Sequence, residues 1–220
     1  WLIFAMPGCL VFFMVVMVPF FYGFYLTLTD WDGISSEKTI VGLSNYISVM
    51  QDTEFWQSMF LTLKYVFISV LLVNILAFLI AYLLTNGMKG QNFFRSGFFT
   101  PNLIGGVVLG YIWKVLINCV LLLVKEPLLA LNSTAGFWGL IILMVWQQVG
   151  YMMIIYIAGL QAIPDSLIEA AQIDGAKPLQ TLFKIKLPMV MSSITICVFL
   201  TLTNSFKLFD QNMALTNGDP

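Results

Sequence analysis

The residue types available for chemistry in this sequence are few, because its 220 residues include no histidine. Without histidine, imidazole acid–base catalysis, histidine metal sites and Ser-His triads are excluded. No Gly-Lys dipeptide occurs, which excludes a nucleotide-binding P-loop. Three scattered cysteines, Cys9, Cys119 and Cys197, lack the paired spacing of a metal or redox motif, so we expect buried structural thiols. The sequence therefore predicts a protein that is not an enzyme and in which any ATP consumed is hydrolysed by another chain.

Polar side chains inside long apolar runs are the second source of chemistry. Such groups are costly in a membrane and are often functional, although hydrogen bonds between helices remain the alternative for each of them. Neutral amides and aromatic rings suit an uncharged polar solute. An anionic solute would favour a mid-span cation, whereas Lys114 and Lys207 are predicted near span ends. The candidate residues for a substrate pathway are Asn74, Gln147, Gln148, Tyr151, Asn204 and Ser205.

The elements that must position these side chains are predicted to be membrane helices. Hydrophobic residues make up 60% of the chain and charged residues 10%, against roughly 45–50% and about 25% in soluble domains. Each uncharged stretch can hold the roughly 20 residues of a membrane-spanning helix, and the continuous apolar runs lack the alternation of barrel strands. We predict an all-α membrane protein with five transmembrane helices. The uncharged stretches are 1–29, 65–88, 96–113, 127–164 (with its helix near 136–160) and 187–206.

Basic residues are distributed unevenly among the predicted loops. The loop 86–95 carries Lys89 and Arg95, and three more lysines lie between spans four and five. The loops after spans one and three together hold only two basic residues, and the loop after span one is rich in acidic residues. By the positive-inside rule, loop 86–95 and the loop between spans four and five are cytoplasmic, so we expect a multi-pass membrane protein with a cytoplasmic N-terminus.

Both ends of the sequence look trimmed. Trp1 opens directly on an apolar run without an initiating Met or a basic flank. The chain stops at Pro220, within turn chemistry that leads towards a further segment. We expect a segment to be missing at each end of a single domain that covers residues 1–220.

Small residues in the predicted third span indicate close helix packing. Gly106 and Gly110 have the small-xxx-small spacing that lets two helix backbones approach without a side chain between them. Pro101, placed in the same predicted span, would free a backbone carbonyl and bend it.

The predicted cytoplasmic loop 160–187 is the most informative segment. Pro164 with Asp165 marks a helix start, and Ser166 with Glu169 matches a capping box. We predict a short amphipathic helix that runs to about Asp174 and is closed by Gly175 in the left-handed conformation. A second short segment, 176–186, would end at Pro188 before span five. Periodicity alone leaves two alternatives, an interfacial helix pair on lipid headgroups and a docking surface for another protein.

The loop resembles the cytoplasmic loop of permeases of binding-protein-dependent ABC (ATP-binding cassette) importers. That family's pattern is Glu-Ala-Ala, three residues, Gly, then nine residues to Ile-x-Leu-Pro. The matching residues are Glu169, Ala170, Ala171, Gly175, Ile185, Leu187 and Pro188, with Asp174, Ala176 and Phe183 also as expected. The similarity covers essentially the whole chain and is strongest to maltose-type sugar permeases, although Ser192 and Asp219 replace a usual proline and glycine.

The resemblance implies a function and a set of partners. The chain would form half of a translocation pathway for a sugar or oligosaccharide, delivered by an extracytoplasmic solute-binding protein. The partners would be a second homologous permease and two cytoplasmic ATPase subunits, which use ATP and contact the coupling residues of the loop. A sixth span would follow the present C-terminus. The resemblance also implies a location in the bacterial inner membrane. Within the same family, the alternative is a permease for glycerol-phosphate-like or other small polar solutes. From another class, the alternative is a membrane assembly protein that uses the loop only to bind a partner.

Overall fold

The computed structural model describes residues 2–35, 37–88 and 90–218. The expectations that involve Trp1, Lys89, Asp219 and Pro220 lie outside the described residues. The chain divides into two compact units, residues 1–61 and 62–220, and the division falls inside a long helix. Regular structure in the described residues is helical, apart from one antiparallel bridge between Thr29 and Ile40. The prediction of an all-α protein is confirmed.

The first unit begins with an interrupted apolar helix. Helix α1 (Leu2–Phe12) passes through a π-helical turn (Phe13–Met17) into α2 (Val18–Leu26). The stretch Phe4–Leu26 is long and apolar enough to cross a membrane. A short helix α3 (Ser44–Gln51) follows the loop after α2, and helix α4 (Thr53–Thr85) then leads into the second unit.

The loop after α2 is held by side-chain hydrogen bonds to its backbone. The amide of Asn45 donates to the carbonyl oxygens of Thr27 (3.0 Å) and Thr29 (2.8 Å). The carboxylate of Asp32 accepts from the backbone N–H groups of Ile34 and Ser35, at 2.9 and 2.8 Å. Because Asn45 of α3 and Asp32 in the loop hold the loop backbone with these hydrogen bonds, the loop keeps its fold without a regular element.

The second unit is a bundle built around a single helix. After α4 come α5 (Gln91–Phe99), a 3₁₀ turn (Thr100–Leu103) and α6 (Gly106–Leu123). A second 3₁₀ turn (Leu129–Leu131) leads to α7 (Ser133–Gln161), which is the most buried helix of the unit. The remaining helices are α8 (Asp165–Ile173), α9 (Pro178–Thr181), α10 (Leu187–Met189), α11 (Met191–Phe206) and α12 (Phe209–Thr216), with a π-helical turn (Leu182–Lys186) between α9 and α10.

Two apolar clusters flank α7. One cluster joins Val73, Ala77 and Ala81 of α4 to Met152 and Tyr156 of α7. The other joins Tyr65 and Val66 of α4 to Leu109 of α6 and to Leu143 and Met144 of α7. The burial of α7 on both sides explains why its apolar residues are spread around the helix and do not form a single stripe.

Glycines on two helices allow the closest approaches in the bundle. A Cβ at Gly110 would lie 2.6 Å from the Cβ of Ala214, so α12 runs in direct backbone contact with α6. A Cβ at Gly150 would overlap the carbonyl oxygen of Phe98, and one at Gly159 would overlap the hydroxyl of Ser193. Since lipid offers little hydrophobic gain for helix association, such close packing is an expected source of stability. The packing predicted from Gly106 and Gly110 is confirmed.

Within the described residues, four helices are long and apolar enough to cross a membrane, or five if a bent pair is counted as one span. The fifth consists of Pro178–Met189 and Met191–Phe206, which meet at an angle of 69°. The prediction of five spans therefore agrees with the count in which the bent pair is one span. The bend lies at Val190, which is fully buried, and the helix continues through Pro188, so the prediction that the loop segment ends at Pro188 is wrong.

Two predicted span boundaries are wrong for the same physical reason. Span two begins at Thr53 instead of residue 65, and the third span is Gly106–Leu123 instead of 96–113. Charged residues do not end these helices, because a lysine can reach along a helix surface and find a partner. Pro101 lies in the 3₁₀ turn before α6, so it does not bend that span.

The cysteines also differ from expectation. Cys197 is buried, as predicted, and its thiol lies 3.8 Å from the carbonyl oxygen of Met152. Cys9 and Cys119 are exposed on this chain, so the prediction of buried thiols is wrong for these two. An apolar run locates a cysteine in a helix but does not determine which face of the helix carries it.

Candidate functional site

The first helix of the loop between α7 and α11 ends in a Schellman motif. Gly175 has φ +76°, the left-handed conformation that was predicted for it. The N–H of Ala176 donates to the carbonyl of Ala171 (2.9 Å), and that of Gly175 to Gln172 (3.0 Å). These two bonds satisfy carbonyls at the helix end and turn the chain sharply. Glycine is needed here for its backbone conformation, since a Cβ would meet nothing within 4 Å.

The start of the same helix differs from the predicted capping box. Pro164 is the N-cap, and the first helical bond runs from the N–H of Leu167 to the carbonyl of Pro164 (3.1 Å). Ser166 therefore lies inside the helix and is not the cap. Proline favours this start because its φ is already fixed near the helical value. A side-chain cap forms later, where the N–H of Lys177 donates to the Oε1 of Gln180 at 2.8 Å.

The loop exposes a mixed acidic and apolar surface. Glu169, Ala170, Asp174 and Gly175 are exposed on and just after α8. Large apolar side chains next to them are also open, with Ile173 at 86%, Leu179 at 67% and Phe183 at 61% exposure. Apolar side chains this open, rimmed by charge, are typical of a surface that binds a partner.

The predicted coupling residues do not all lie on that surface. Glu169, Ala170, Asp174, Gly175, Phe183 and Pro188 are exposed. Ala176 and Leu187 are half-buried, and Ala171 is buried within the chain. Ala171 is therefore covered by other parts of this chain, while Glu169 and Ala170 face outward.

A polar cluster lies between α4, α7 and α11. The hydroxyl of Tyr156 donates to the Oδ1 of Asn74 at 2.8 Å. The amide of Asn74 donates to the carbonyl of Val70 (2.8 Å) and lies 3.4 Å from the hydroxyl of Thr201. The hydroxyl of Thr201 in turn donates to the carbonyl of Cys197 at 2.7 Å. Three helices are therefore joined through one asparagine.

A second polar cluster joins α7 to α11 and α12. Gln147 donates to the carbonyl of Ile104 (3.3 Å) and accepts from the amide of Gln211 (3.2 Å). The adjacent Gln148 accepts from the amide of Asn204 at 3.3 Å. Both glutamines are buried, at 6% and 8% exposure. Gln147 thus links α7 to Ile104 and to α12, and Gln148 links α7 to α11.

The six predicted pathway residues are therefore split by the structure. Asn74, Gln147, Gln148 and Asn204 make hydrogen bonds between helices, and the hydroxyl of buried Ser205 donates to the carbonyl of Thr201 at 2.8 Å in its own helix. Tyr151 is exposed at 36%. Sequence reasoning missed Tyr156, Thr201 and Gln211. Tyr156 and Thr201 are polar residues inside predicted spans, so the criterion that selected the other candidates could have found them. Gln211 lies beyond the predicted end of span five.

Lys114 occupies an unexpected place. It lies in the middle of α6 rather than near a span end, so the prediction for this residue is wrong. Its ammonium donates to the Oδ1 of Asn217 at 2.8 Å. Asn217 has φ +62° and ends α12, so the cation also lies at the negative end of that helix dipole. Lys207, in contrast, follows directly after α11, as predicted.

A helical chain with four or five candidate spans, internal polar clusters and an exposed loop helix has the features of a multi-pass membrane permease. Comparison with known proteins makes this specific. Residues 54–218 match the family described as binding-protein-dependent transport system inner membrane component. The chain belongs to this family. It is a multi-pass inner-membrane component of a binding-protein-dependent transport system and not an enzyme.

Curated relatives and a solved structure agree with the family. A probable starch degradation products transport system permease protein of Thermoanaerobacterium thermosulfurigenes is 40% identical, over 100% of this chain and 77% of the relative. A trehalose/maltose transport system permease protein of Thermococcus litoralis is 30% identical, over 98% and 76%. The crystal structure of a bacterial ABC transporter involved in the import of the acidic polysaccharide alginate has a similar fold, with TM-score 0.80, 19% identity and coverage of 98% and 77%.

Proposed function

We propose that this chain forms half of the translocation pathway of an ATP-driven importer for a sugar or oligosaccharide. Two relatives at 30% identity or more are permease proteins whose names refer to starch degradation products and to trehalose and maltose. The neutral amides Gln148 and Asn204, which meet at 3.3 Å between two spans, are suited to hydroxyl-rich solutes. An extracytoplasmic binding protein delivers the sugar, and the N-terminus lies in the cytoplasm.

The observation that carries the proposal is the exposed helix α8, closed by left-handed Gly175. Its outer face presents Glu169, Ala170 and Asp174 beside open apolar side chains. A cytoplasmic ATPase subunit covers this face, with a basic residue of the ATPase opposite Glu169 and close backbone approach at Ala170. Closure of the ATPase then shifts the inward–outward equilibrium of the permease pair through this rigid element. The coupling set is completed by Ala171, Ala176, Phe183, Leu187 and Pro188.

The proposal is tested by affinity purification of the full-length tagged protein in mild detergent, with mass spectrometry of the chains that co-purify. We expect a second permease and an ATPase with the parent protein. Gly175→Asp should lose the ATPase and retain the second permease, because the interface would bury the added carboxylate without a partner beside the apolar side chains of Ile173 and Leu179, and burying an unpaired charge is costly. Gly175→Asn is the matched control, since it is nearly isosteric, neutral and tolerated in the left-handed region.

Two outcomes would contradict the proposal. If neither variant nor parent retains an ATPase, the loop serves another partner and the protein is better explained as a membrane assembly protein. If Gly175→Asp is lost from the membrane, Gly175 is required for folding and the assignment of α8 as a coupling helix loses its support.

Lys114 supports a second candidate substrate class. An ammonium in the middle of a span is the feature expected of a permease for a phosphate-bearing solute such as glycerol phosphate. The bond to Asn217 gives the cation a structural partner and so favours the sugar assignment. Lys114→Met distinguishes the two substrate classes. A sugar permease keeps its selectivity and loses only stability. A permease for anions loses uptake of radiolabelled glycerol phosphate.

A further inference from the structure

Lys186 joins the cytoplasmic loop to the end of α4. Its ammonium lies over the ring of Tyr82, 4.9 Å from the centroid, and 3.5 Å from the Oδ1 of Asn86. The first is the geometry of a cation–π contact. Tyr82 lies in the last turn of α4, and Asn86 follows directly after that helix. The residues are about a hundred positions apart in sequence, so this contact is made by the tertiary fold.

The residues that Lys186 contacts lie in one stripe along a face of α4 and its continuation into the following turn. Asn74, Phe78, Tyr82 and Asn86 are spaced four apart, which places them along one face of a helix. Phe78 stacks near Tyr82, with 6.5 Å between centroids, and meets Tyr156 edge to face at 5.5 Å. Tyr156 donates to Asn74, so the stripe connects Lys186 to the polar cluster between α4, α7 and α11.

The route from the loop into α11 is less direct. The segment Pro178–Met189 meets α11 at 69°, with Val190 at φ −92° and ψ 13° between them. A bend of this size does not transmit an axial push as a straight helix does. The segment also contains the π-helical turn Leu182–Lys186, and such turns occur at functional hinges. Lys186 lies at the end of that turn and contacts the uninterrupted helix α4.

We propose that Lys186 is a positioning residue that seats the loop segment 178–189 on α4, and that the stripe from Asn86 to Asn74 carries movement of the loop to the polar cluster inside the membrane. The transmission step rests on the proposed coupling function, whereas the seating step does not. Lys184 lies in the same π-helical turn and is exposed, so it is a matched control with the same charge.

Spin labels measure the seating directly. Nitroxides at Leu179 and Leu79, both exposed, report the distance between the loop segment and α4 in protein in lipid nanodiscs, with Cys9 and Cys119 replaced by serine. Loss of a cation–π contact lowers the ratio of seated to unseated protein by about two- to five-fold. We expect Lys186→Met and Tyr82→Leu to broaden the distance distribution. Lys184→Met, Lys186→Arg and Tyr82→Phe should match the parent protein.

Transport per ATP hydrolysed measures the transmission. In proteoliposomes with the complete transporter and radiolabelled maltotetraose as the probe, Lys186→Met should lower this ratio by up to about five-fold, while Lys184→Met leaves it unchanged. Equal distance distributions for the two lysine variants would overturn the seating, and equal ratios would overturn the transmission. A parent protein that lacks an ATPase partner refutes the proposed function instead, and the distance measurement still decides the seating.

Discussion

The backbone of α7 at Gly150 lies directly against the carbonyl of Phe98 at the end of α5, leaving no room for a Cβ. This contact fixes the short helix α5 and the following 3₁₀ turn against the central helix. It thereby places Asn102 and Ile104 beside Gln147, where the amide of Asn102 lies 3.5 Å from the Gln147 carbonyl. One glycine therefore determines where the segment before α6 crosses the bundle.

Gly150→Ala should destabilise the protein. The new Cβ would overlap a backbone oxygen that cannot rotate away, and overpacking of this kind costs about 1–3 kcal/mol. Thermal unfolding in detergent, followed by size-exclusion fluorescence, measures the effect. Gly97→Ala is the control, because a Cβ at that exposed helical position meets nothing within 4 Å and should be neutral or stabilise by up to about 1 kcal/mol. An equal melting temperature for both variants would refute the close contact.

Gly110→Ala should weaken the packing of α12 on α6, because its Cβ would lie 2.6 Å from that of Ala214. Ala214→Gly removes the opposing carbon. The double variant should therefore recover part of the lost thermal stability, and a double-mutant cycle gives the coupling. Strictly additive effects would show that the two positions do not meet.

Gln147→Leu should lower stability without changing which solute is transported. The change leaves the carbonyl of Ile104 and the amide of Gln211 without their partner, and hydrogen bonds between membrane helices contribute on average about 0.6 kcal/mol each. We expect the free energy of unfolding to fall by about 1 kcal/mol. The effects of Gln147→Leu and Gln211→Leu on thermal unfolding should not be additive. A changed ranking of sugars in uptake competition, with unchanged stability, would instead place Gln147 on the pathway.

The loop after α2 should respond to acid through Asp32. The N–H groups of Ser35 and Ile34 and the Ser35 hydroxyl lower the pKa of this carboxyl from 3.8 to about 2. Its stabilising effect is thus fully present above about pH 4 and is lost as the pH falls through about 2. The indole of Trp31 donates to the carbonyl of Ser35 at 2.7 Å. The opening of the loop can therefore be followed by ¹⁹F NMR of 5-fluorotryptophan-labelled protein, with the Trp31 resonance assigned by means of Trp31→Phe.

Asp32→Asn provides the control for this titration. Its amide oxygen still accepts from the loop backbone but does not titrate, so the Trp31 resonance should lose its acid transition. A transition that persists in Asp32→Asn would assign the opening to another carboxyl group.

The sequence by itself determined the local features of this protein. Continuous apolar runs longer than a bilayer core require helices, since backbone polar groups cannot remain unsatisfied in lipid. Gly175 after an amphipathic segment predicted a left-handed helix end, because glycine adopts that conformation without a steric penalty. The spacing of Gly106 and Gly110 predicted a close helix contact but did not identify its partner.

Tertiary structure alone decided which distant residues meet. Lys114 lies inside a span, where its ammonium donates a hydrogen bond to Asn217, and Lys186 lies on the ring of Tyr82 because the loop folds back onto α4. Gln211 binds Gln147 only because α12 returns alongside α6. Helix periodicity describes neighbours three or four residues apart, whereas these contacts depend on how separate helices pack, which the local pattern of residues does not encode.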